Sequence, residues 1–205
     1  DYGKHLAPKT GLIYNGIATQ EYARRQEKNY GRFIVASHLR PSKGIQDLIE
    51  AVSLLEPGLK QRLEINIFGE GPMEAELKEL VKGKNLEKQI RFCGSSPELP
   101  GLFKNYSYLL QPTYMECFSL SILESLAANV PVVTTPVGGN LEIIADGQNG
   151  FIFAAGNAEQ LAEILKGILQ QQRSISEPVD ELIRNHYDLE KMVKEHLALL
   201  EVQKE

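Results

Sequence analysis

The sequence has little positive charge for its size, and that shortage excludes one class of function. Its 205 residues include 22 Lys and Arg against 27 Asp and Glu, a formal net charge of −5. A nucleic-acid-binding domain would carry Lys and Arg clustered on one face, and this chain has no dense basic block. We therefore expect no nucleic-acid partner.

Cysteines, long apolar runs and several phosphate-binding motifs are scarce or missing as well. The two cysteines, Cys93 and Cys117, have neither metal-ligand spacing nor the density of a disulfide framework, which suits a reducing compartment such as the cytoplasm. No apolar run approaches the roughly 20 residues that span a bilayer. The chain contains no Walker A motif, no Gly-x-Gly-x-x-Gly and no Asp-x-Asp pair, so we expect no metal site.

The chain does contain a regular alternation of short β-branched runs and segments of helical period. The runs have the length of buried strands, and each is followed by apolar residues at helical spacing. This alternation predicts βαβ units and a parallel sheet covered on both faces, an α/β Rossmann-like fold. The predicted strands are 33–36, 63–68, 90–93, 108–110, 131–133 and 150–153, and the predicted helices are 45–55, 73–81, 99–103, 120–128, 141–145 and 158–169.

The two ends of the chain depart from this pattern. The first residue is Asp, and we expect the sequence to begin partway through a longer protein, with 1–27 as the end of an interdomain linker. The Rossmann-like domain would then occupy 28–175. Pro178 interrupts the alternation, and 176–205 should form one or two helices. Their apolar face must pack on this domain or on an absent one, and it comprises Leu189, Met192, Val193, Leu197 and Leu200.

A loop with two glutamates has the clearest binding chemistry. A predicted strand ends near Leu110 and the next helix begins near Ser119, which places Glu116 before that helix and Glu124 in its second turn. Ligands of parallel sheets bind outside the carboxyl ends of strands, where free amides and the helix dipole favour a phosphate. The two carboxylates could accept hydrogen bonds from sugar and ribose hydroxyls. The alternative is a capping box, because Ser121 and Glu124 have its spacing.

The stretch that begins at Glu116 resembles glycosyltransferase family 4, the large GT-B group of retaining enzymes. The shared features come in the family's order: a glutamate, an aromatic turn, a second glutamate eight residues on, Pro-Val-Val, Gly-Gly, a glutamate and Asp-Gly-x-x-Gly. The likeness extends over residues 13 to about 200. It implies that Glu116 contacts the donor sugar and that Glu124 contacts the ribose. The backbone amides that hold the pyrophosphate and sugar would belong to Cys117, Phe118, Ser119 and Leu120.

Two positions of this loop depart from the family pattern. The family has glycines where this chain has Cys117 and Ser119. If either position requires a positive φ or a very close backbone approach, a side chain there is costly. We expect the loop to be retained, with altered contacts to the donor.

A second motif, Ser37-His-Leu-Arg-Pro-Ser-Lys-Gly44, follows the first strand. The family usually has Gly-Arg-Leu and then Lys-Gly here, with both cations on the diphosphate, so the resemblance implies that Lys43 is catalytic. The alternative for Lys43 is a solvated lysine before a helix. His38 occupies the position of the arginine, either as a ligand contact or as a packed neutral imidazole. Arg40 could replace that arginine, because residues i and i+2 share a face in an extended chain.

Two glycine-containing turns complete the candidate site. The segment 68–73 indicates a tight turn, with Pro72 at the first position of a helix. The resemblance implies that Gly69 and Glu70 of this turn contact the donor. The pair at 138–139, Gly-Gly, either approaches the sugar or phosphate closely or makes a simple turn between a strand and a helix.

The resemblance implies a reaction as well as a site. It predicts transfer of a glycosyl group from a nucleoside-diphosphate sugar to an acceptor hydroxyl, with retention at the anomeric carbon and with no cofactor besides this substrate. The strand end at 91–96 would contact the base through backbone groups. An absent N-terminal domain would bind the acceptor, in polysaccharide or glycolipid synthesis, and could associate peripherally with the cytoplasmic face of a membrane. This half alone would be inactive. The alternatives are a non-catalytic nucleotide-sugar-binding protein and a related sugar-nucleotide epimerase.

Overall fold

The computed structural model describes residues 12–27 and 29–202, in which one six-stranded parallel sheet is covered by helices. The strands are β1 Arg32–Ala36, β2 Glu64–Phe68, β3 Ile90–Gly94, β4 Tyr108–Gln111, β5 Val132–Thr134 and β6 Gly150–Ile152. The helices are α1 Ile45–Leu54, α2 Pro57–Lys60, α3 Glu74–Gly83, α4 Leu99–Leu102, α5 Leu120–Ala127, α6 Asn140–Ile143, α7 Ala158–Leu169, α8 Glu181–His186 and α9 Leu189–Val202. The predicted α/β Rossmann-like fold is confirmed, and the predicted strands and helices end within one or two residues of those observed.

The order of the strands in the sheet places a crevice at its centre. The order is β3-β2-β1-β4-β5-β6, so the chain leaves β1 in one direction and returns to the other side of it at β4. Parallel pairing aligns Phe33 with Tyr108 and Ile34 with Leu109. In open α/β sheets ligands bind at this reversal, outside the carboxyl ends of the two strands.

The strands around this reversal form the centre of the hydrophobic core. Phe33 and Ile34 of β1 are fully buried, and every residue of β4 and β5 is buried as well. A strand that is covered on both faces has no need of a polar alternation, which explains the continuous apolar runs in the sequence.

The helices form two groups. Helix α1 packs against α3 and α7, while α5 packs against α6 and α8. Because crossovers between parallel strands are right-handed and the strand order reverses between β1 and β4, the two groups cover opposite faces of the sheet.

One predicted helix start is wrong. Pro72 does not begin α3, since the first helical residue is Glu74 and Met73 occupies the N-cap. The Glu74 amide donates to the Gly71 carbonyl oxygen, and the Met73 amide donates to the Leu39 carbonyl oxygen. Residues 71–73 therefore form a turn that is attached to the loop after β1, and this contact between distant segments delays the helix by two residues.

The segment before β1 is attached both to the core of the sheet and to the tail, which is the part of the chain from α8 onward. Ile17 and Tyr22 are buried in the same core as the sheet. The Ile17 amide donates to the Tyr187 carbonyl oxygen at 2.9 Å, and the Leu189 amide donates to the Ile17 carbonyl oxygen at 2.9 Å. A Cβ on Gly16 would lie 2.7 Å from the Asp188 carbonyl oxygen, so this segment and the tail touch where only glycine fits.

The tail forms two helices, α8 and α9, and the second has an uncovered apolar face. Within the described chain, Leu197 is 54% exposed and Leu200 is 60% exposed. The domain described here therefore does not cover the apolar stripe of α9. The boundaries 1–27, 28–175 and 176–205 remain predictions, and residues 1–11, 28 and 203–205 lie outside the described residues.

Candidate functional site

The loops that follow β1 and β4 are joined at the strand reversal. The Tyr114 amide and the Thr113 hydroxyl both donate to the Ser42 carbonyl oxygen, at 2.8 and 3.0 Å. Gly44 has a φ of +65°, and a Cβ there would lie 1.8 Å from the Pro112 carbonyl oxygen. The Lys-Gly pair of the sequence motif is therefore held against the loop between β4 and α5, and only glycine fits its second position.

This junction brings together the two predicted catalytic residues. Lys43 Nζ donates to Glu116 Oε2 at 2.8 Å, and their side chains are 21% and 18% exposed. The alternative of a freely solvated Lys43 is wrong, because its ammonium group is mostly covered and has an anionic partner. A lysine paired in this way still has two N–H donors for another ligand, and the carboxylate still has an uncommitted oxygen.

A cleft of about 260 Å³ lies at the carboxyl ends of β1, β2 and β3, and among the described residues its lining does not include Lys43 or Glu116. It contains four of the predicted donor-binding residues, His38, Gly69, Glu70 and Glu124. Ser95 and Ser96 line its far end, at the strand end that the sequence predicts to contact the base. The remaining lining residues are Ala36, Ser37, Phe68 and Leu99.

Glu124 extends from α5 into this cleft. Its Oε1 accepts a hydrogen bond of 3.1 Å from the Tyr22 hydroxyl, and burial raises the pKa of its carboxyl, although the Tyr22 hydroxyl opposes that rise. The capping-box alternative is wrong, because the N-cap of α5 is Ser119, whose hydroxyl accepts from the Ile122 amide. Glu124 is thus a half-buried carboxylate in a cleft rather than a helix cap.

His38 is exposed in the cleft, so the alternative of a packed imidazole is wrong. Its Nδ1 lies 3.1 Å from the Glu70 carbonyl oxygen. A carbonyl oxygen can only accept, so Nδ1 must carry the proton. The other ring nitrogen, Nε2, is then an acceptor in the neutral ring and a donor only in the imidazolium.

The assumption that His38 and Arg40 share one face is wrong. The Arg40 amide donates to the His38 carbonyl oxygen at 3.0 Å, which folds the chain into a tight turn around the buried Leu39. Arg40 is exposed, and among the described residues it is not part of the cleft lining. Its role in donor binding stays a prediction that this geometry does not favour.

Gly69 and Glu70 hold the cleft wall in place. Gly69 has a φ of +125°, and a Cβ there would lie 2.0 Å from the Ser37 carbonyl oxygen. The Glu70 carboxylate accepts from the Ser95 amide at 3.3 Å. These contacts connect the ends of β1, β2 and β3, so both residues shape the cleft.

The two departures from the family glycines are accommodated without backbone strain. Cys117 is exposed, and it is not among the described non-glycine residues with positive φ. Ser119 has a φ of −87° and caps α5. Serine is among the preferred N-cap residues, ahead of glycine. Neither side chain therefore forces an unusual backbone on the loop, and Leu120 begins the helix with its side chain exposed.

A buried polar network behind this loop was missed by sequence reasoning. The Gln111 side-chain amide donates to the Ser119 hydroxyl, and its oxygen accepts from the Thr134 hydroxyl at 3.1 Å. The Asn140 side-chain amide donates to the Thr134 hydroxyl at 3.0 Å. The only sequence signal was a glutamine at the end of an apolar strand. The network connects the N-cap of α5 with β5 and α6.

The Gly-Gly turn contacts the same loop from the other side. Gly138 has a φ of +53°, and a Cβ there would lie 1.7 Å from the Glu116 carbonyl oxygen. The Gly139 amide donates to the Cys117 carbonyl oxygen at 2.9 Å. Both glycines are needed for packing against the loop that carries Glu116, and the turn leads directly into α6.

Residues 12–27 and 29–202 contain no helix that is both long and apolar enough to cross a membrane. No three or more His, Cys, Asp and Glu side chains there are grouped so that they could hold a metal ion.

The fold and this edge of the sheet define a class of protein. An open parallel sheet has, at its strand reversal, a paired lysine and glutamate, a helix N-terminus and a cleft with a second glutamate. That combination suits a ligand with anionic and hydroxyl groups, as in α/β domains that bind nucleotides.

The sequence model of the family described as glycosyl transferases group 1 matches residues 19–188, and the chain belongs to this family. N-acetyl-alpha-D-glucosaminyl L-malate synthase of Bacillus anthracis is 27% identical over 198 residues, which cover 90% of this chain and 51% of that protein. A glycogen synthase of Mycobacterium tuberculosis is 30% identical over 176 residues, covering 82% and 41%. The chain thus spans about half the length of these relatives, or less.

Solved structures show the same architecture. A structure of the Anabaena protein HepE in complex with UDP and glucose has a TM-score of 0.82 at 22% identity, covering 95% of this chain and 57% of that one. Sucrose-phosphate synthase from Thermosynechococcus elongatus has a TM-score of 0.83 at 19% identity, covering 98% and 56%. The chain therefore has the Rossmann-like fold of GT-B glycosyltransferases.

Proposed function

We propose that this chain is the donor-binding domain of a retaining glycosyltransferase that transfers a sugar from a nucleoside-diphosphate sugar to an acceptor hydroxyl. The observation that carries the proposal is the Lys43–Glu116 pair, 2.8 Å apart at the strand reversal, together with a cleft that contains Glu124. These groups supply, within one edge of the sheet, a cation for a diphosphate and carboxylates for hydroxyl groups.

The cleft has the right order of groups for a nucleotide. Glu124 has one oxygen on the Tyr22 hydroxyl, which leaves the second for the ribose hydroxyls. The base would lie toward Ser95 and Ser96, at the far end of the cleft. The Leu120 and Ser121 amides at the start of α5 have no carbonyl partners inside the helix and would bind the diphosphate, whereas the Ile122 amide already donates to the Ser119 hydroxyl.

The chemistry of transfer is mainly electrostatic. The departing nucleoside diphosphate gains negative charge in the transition state, and preorganised donors aimed at that charge lower the barrier. Lys43 and the uncapped amides at the start of α5 are such donors. Glu116 accepts from Lys43 through one oxygen, and its other oxygen would position a sugar hydroxyl.

The side chain at position 38 predicts an effect of substitution on nucleotide affinity. Nδ1 of His38 is committed to the Glu70 carbonyl oxygen, so the ring has at most one N–H, at Nε2, for a diphosphate. An arginine carries a permanent charge and several donors. His38→Arg should therefore bind UDP about tenfold more tightly than the parent.

Calorimetric titration of both proteins with UDP at one neutral pH checks the prediction. Glu70 and Glu124 also face the cleft and are common to both proteins, so the difference in affinity isolates the side chain at position 38. Equal affinities in the two proteins would show that position 38 does not contact the diphosphate.

The whole reaction needs a second domain. The chain spans about half of its relatives, and the apolar face of α9 is uncovered by the described residues. We propose that an N-terminal domain packs on this face, binds the acceptor and makes the hexosyltransferase complete. Its acceptor would be a growing polysaccharide or a glycolipid at the cytoplasmic face of a membrane. The present chain alone would not catalyse the transfer.

Titration of this chain with UDP, GDP and ADP tests the proposal. Binding of one of them, measured by calorimetry on protein shown to be folded by thermal unfolding, would support a donor domain and identify the base. Absence of binding to all three would count against donor binding by this chain. A complete protein that bound a nucleotide sugar without transfer or hydrolysis would instead indicate the non-catalytic alternative.

A further inference from the structure

Three aromatic rings meet at the loop between β4 and α5. Phe118 stacks on Tyr14 with ring centroids 5.5 Å apart, and its ring lies 5.7 Å from that of Tyr187. Tyr14 and Tyr187 also contact each other edge to face at 5.5 Å. Phe118 directly follows Cys117, so this aromatic cluster holds the loop that carries Glu116.

Tyr14 is also attached to the other support of the same loop. Its hydroxyl donates to Glu142 Oε2 at 2.6 Å, and this hydrogen bond raises the pKa of Tyr14. Glu142 belongs to α6, which begins just after Gly139, the residue whose amide donates to the Cys117 carbonyl oxygen. The ring of Tyr14 therefore contacts the loop, and its hydroxyl contacts α6, the helix that follows the Gly-Gly turn.

The two tyrosines come from the two ends of the chain. Tyr14 lies in the segment before β1, and Tyr187 lies between α8 and α9. Two backbone hydrogen bonds of 2.9 Å connect Ile17 to Tyr187 and Leu189, so the two segments are joined next to the cluster. Both ends converge on one side chain of the candidate donor loop.

We infer that Tyr14 is a positioning residue, which with Tyr187 orients Phe118 and so fixes the backbone amides that bind the diphosphate. The inference rests on the proposed function, because the amides matter only if this loop binds a donor. Tyr14 and Tyr187 pack on Phe118 and on each other in a triangle of rings, which restricts the rotamers of Phe118 and the backbone that carries it. A displacement of the segment before β1 or of the tail would then be transmitted to the loop.

Cys117 provides a test that does not depend on nucleotide binding. In a Cys93→Ser background it is the single thiol, exposed and adjacent to Phe118. Tyr14→Leu removes the ring and the hydroxyl, and local opening of the loop should then change the rate of Cys117 alkylation by iodoacetamide roughly threefold or more. Tyr14→Phe keeps the ring and should stay close to the parent rate.

The matched control is Tyr30→Leu. Tyr30 is also half-buried against the core, but it lies just before the first residue of β1. It is therefore at the amino ends of the strands, opposite the carboxyl ends where the candidate site lies. This change should leave Cys117 alkylation unaltered even if it lowers the unfolding temperature. If Tyr14→Leu does not fold, Tyr187→Leu provides the same test from the tail.

The affinity for UDP gives the second readout. Tyr14→Leu should weaken UDP binding about tenfold, and Tyr14→Phe should restore most of it. An alkylation rate that Tyr14→Leu leaves unchanged overturns the inference. If the parent protein binds none of UDP, GDP and ADP while Tyr14→Leu still alters alkylation, the cluster holds the loop as inferred and only the proposed function fails.

Discussion

Replacing Lys43 with alanine should weaken nucleoside diphosphate binding by this chain at least about tenfold, or 1.4 kcal/mol. Two effects act in the same direction. The diphosphate loses a cation that is held at the strand reversal, and Glu116 loses its partner in a half-buried position, so an uncompensated carboxylate then faces the anionic ligand. In a complete enzyme the loss of turnover should exceed the loss of affinity, by about a hundredfold in kcat, because charge on the diphosphate grows in the transition state.

Calorimetric titration of the parent protein and Lys43→Ala with the same nucleotide measures the loss of affinity. Lys84→Ala is the matched control, because Lys84 also forms an ion pair, with Glu50 at 2.6 Å, but outside the site. An exposed pair of this kind contributes little, so this control should bind like the parent. Equal affinities in Lys43→Ala and the parent would exclude Lys43 from the diphosphate site.

The fold could be predicted from the sequence because its signals are local. Strands buried on both faces leave continuous apolar runs, as at Phe33–Ala36, and the helices that cover them leave apolar residues at helical spacing. The Gly-Gly and Lys-Gly pairs also correspond to close approaches that the structure shows, at Gly138 and Gly44. In each case a few neighbouring residues determine the outcome.

The site was predictable only in part, because its side-chain partners are distant in sequence. Nothing near Tyr22 indicates that its hydroxyl reaches Glu124, 102 residues away. Gln111 is visible as a polar residue at the end of an apolar strand, but its partners come from α5 and β5. Such contacts follow from strand order, which a single sequence does not specify.

The predictions that failed did so for a related reason. Arg40 was placed beside His38 on the assumption of extended chain, and a backbone hydrogen bond folds that segment around Leu39 instead. Pro72 was placed in the first turn of α3, and the attachment of Met73 to Leu39 delays the helix. Both errors come from the same contact region, where the loop after β1 meets the turn after β2.

The structure gives a physical reason for one departure from the family pattern. Ser119 replaces a glycine, yet it improves the N-cap of α5 and joins the buried network of Gln111. A substitution that stabilises the start of the helix does not indicate a decaying site. The Ser119 hydroxyl accepts from the Ile122 amide, and the Leu120 and Ser121 amides remain available for an anion.

Glu124→Gln should make the protein more stable to heat at neutral pH while it weakens nucleotide binding. Burial raises the pKa of Glu124, so the folded state holds this proton to a higher pH than the unfolded chain does. The stability contributed by the group is therefore present in acid and is lost as the pH rises through its folded pKa. Glutamine avoids the cost of a buried charge and keeps an oxygen for the Tyr22 hydroxyl, so the variant should unfold at a higher temperature than the parent at neutral pH.

The same change should weaken nucleotide binding about tenfold, because a neutral amide accepts more weakly from ribose hydroxyls than a carboxylate does. Thermal unfolding at neutral and acidic pH, paired with calorimetry, measures both effects, and the stability difference should shrink in acid. A variant that is less stable at neutral pH would show that Glu124 contributes to the core, whereas higher stability with reduced affinity is the pattern of a charge retained at a stability cost for its ligand. The Tyr22 hydroxyl then reduces that cost while leaving the second carboxylate oxygen open to the cleft.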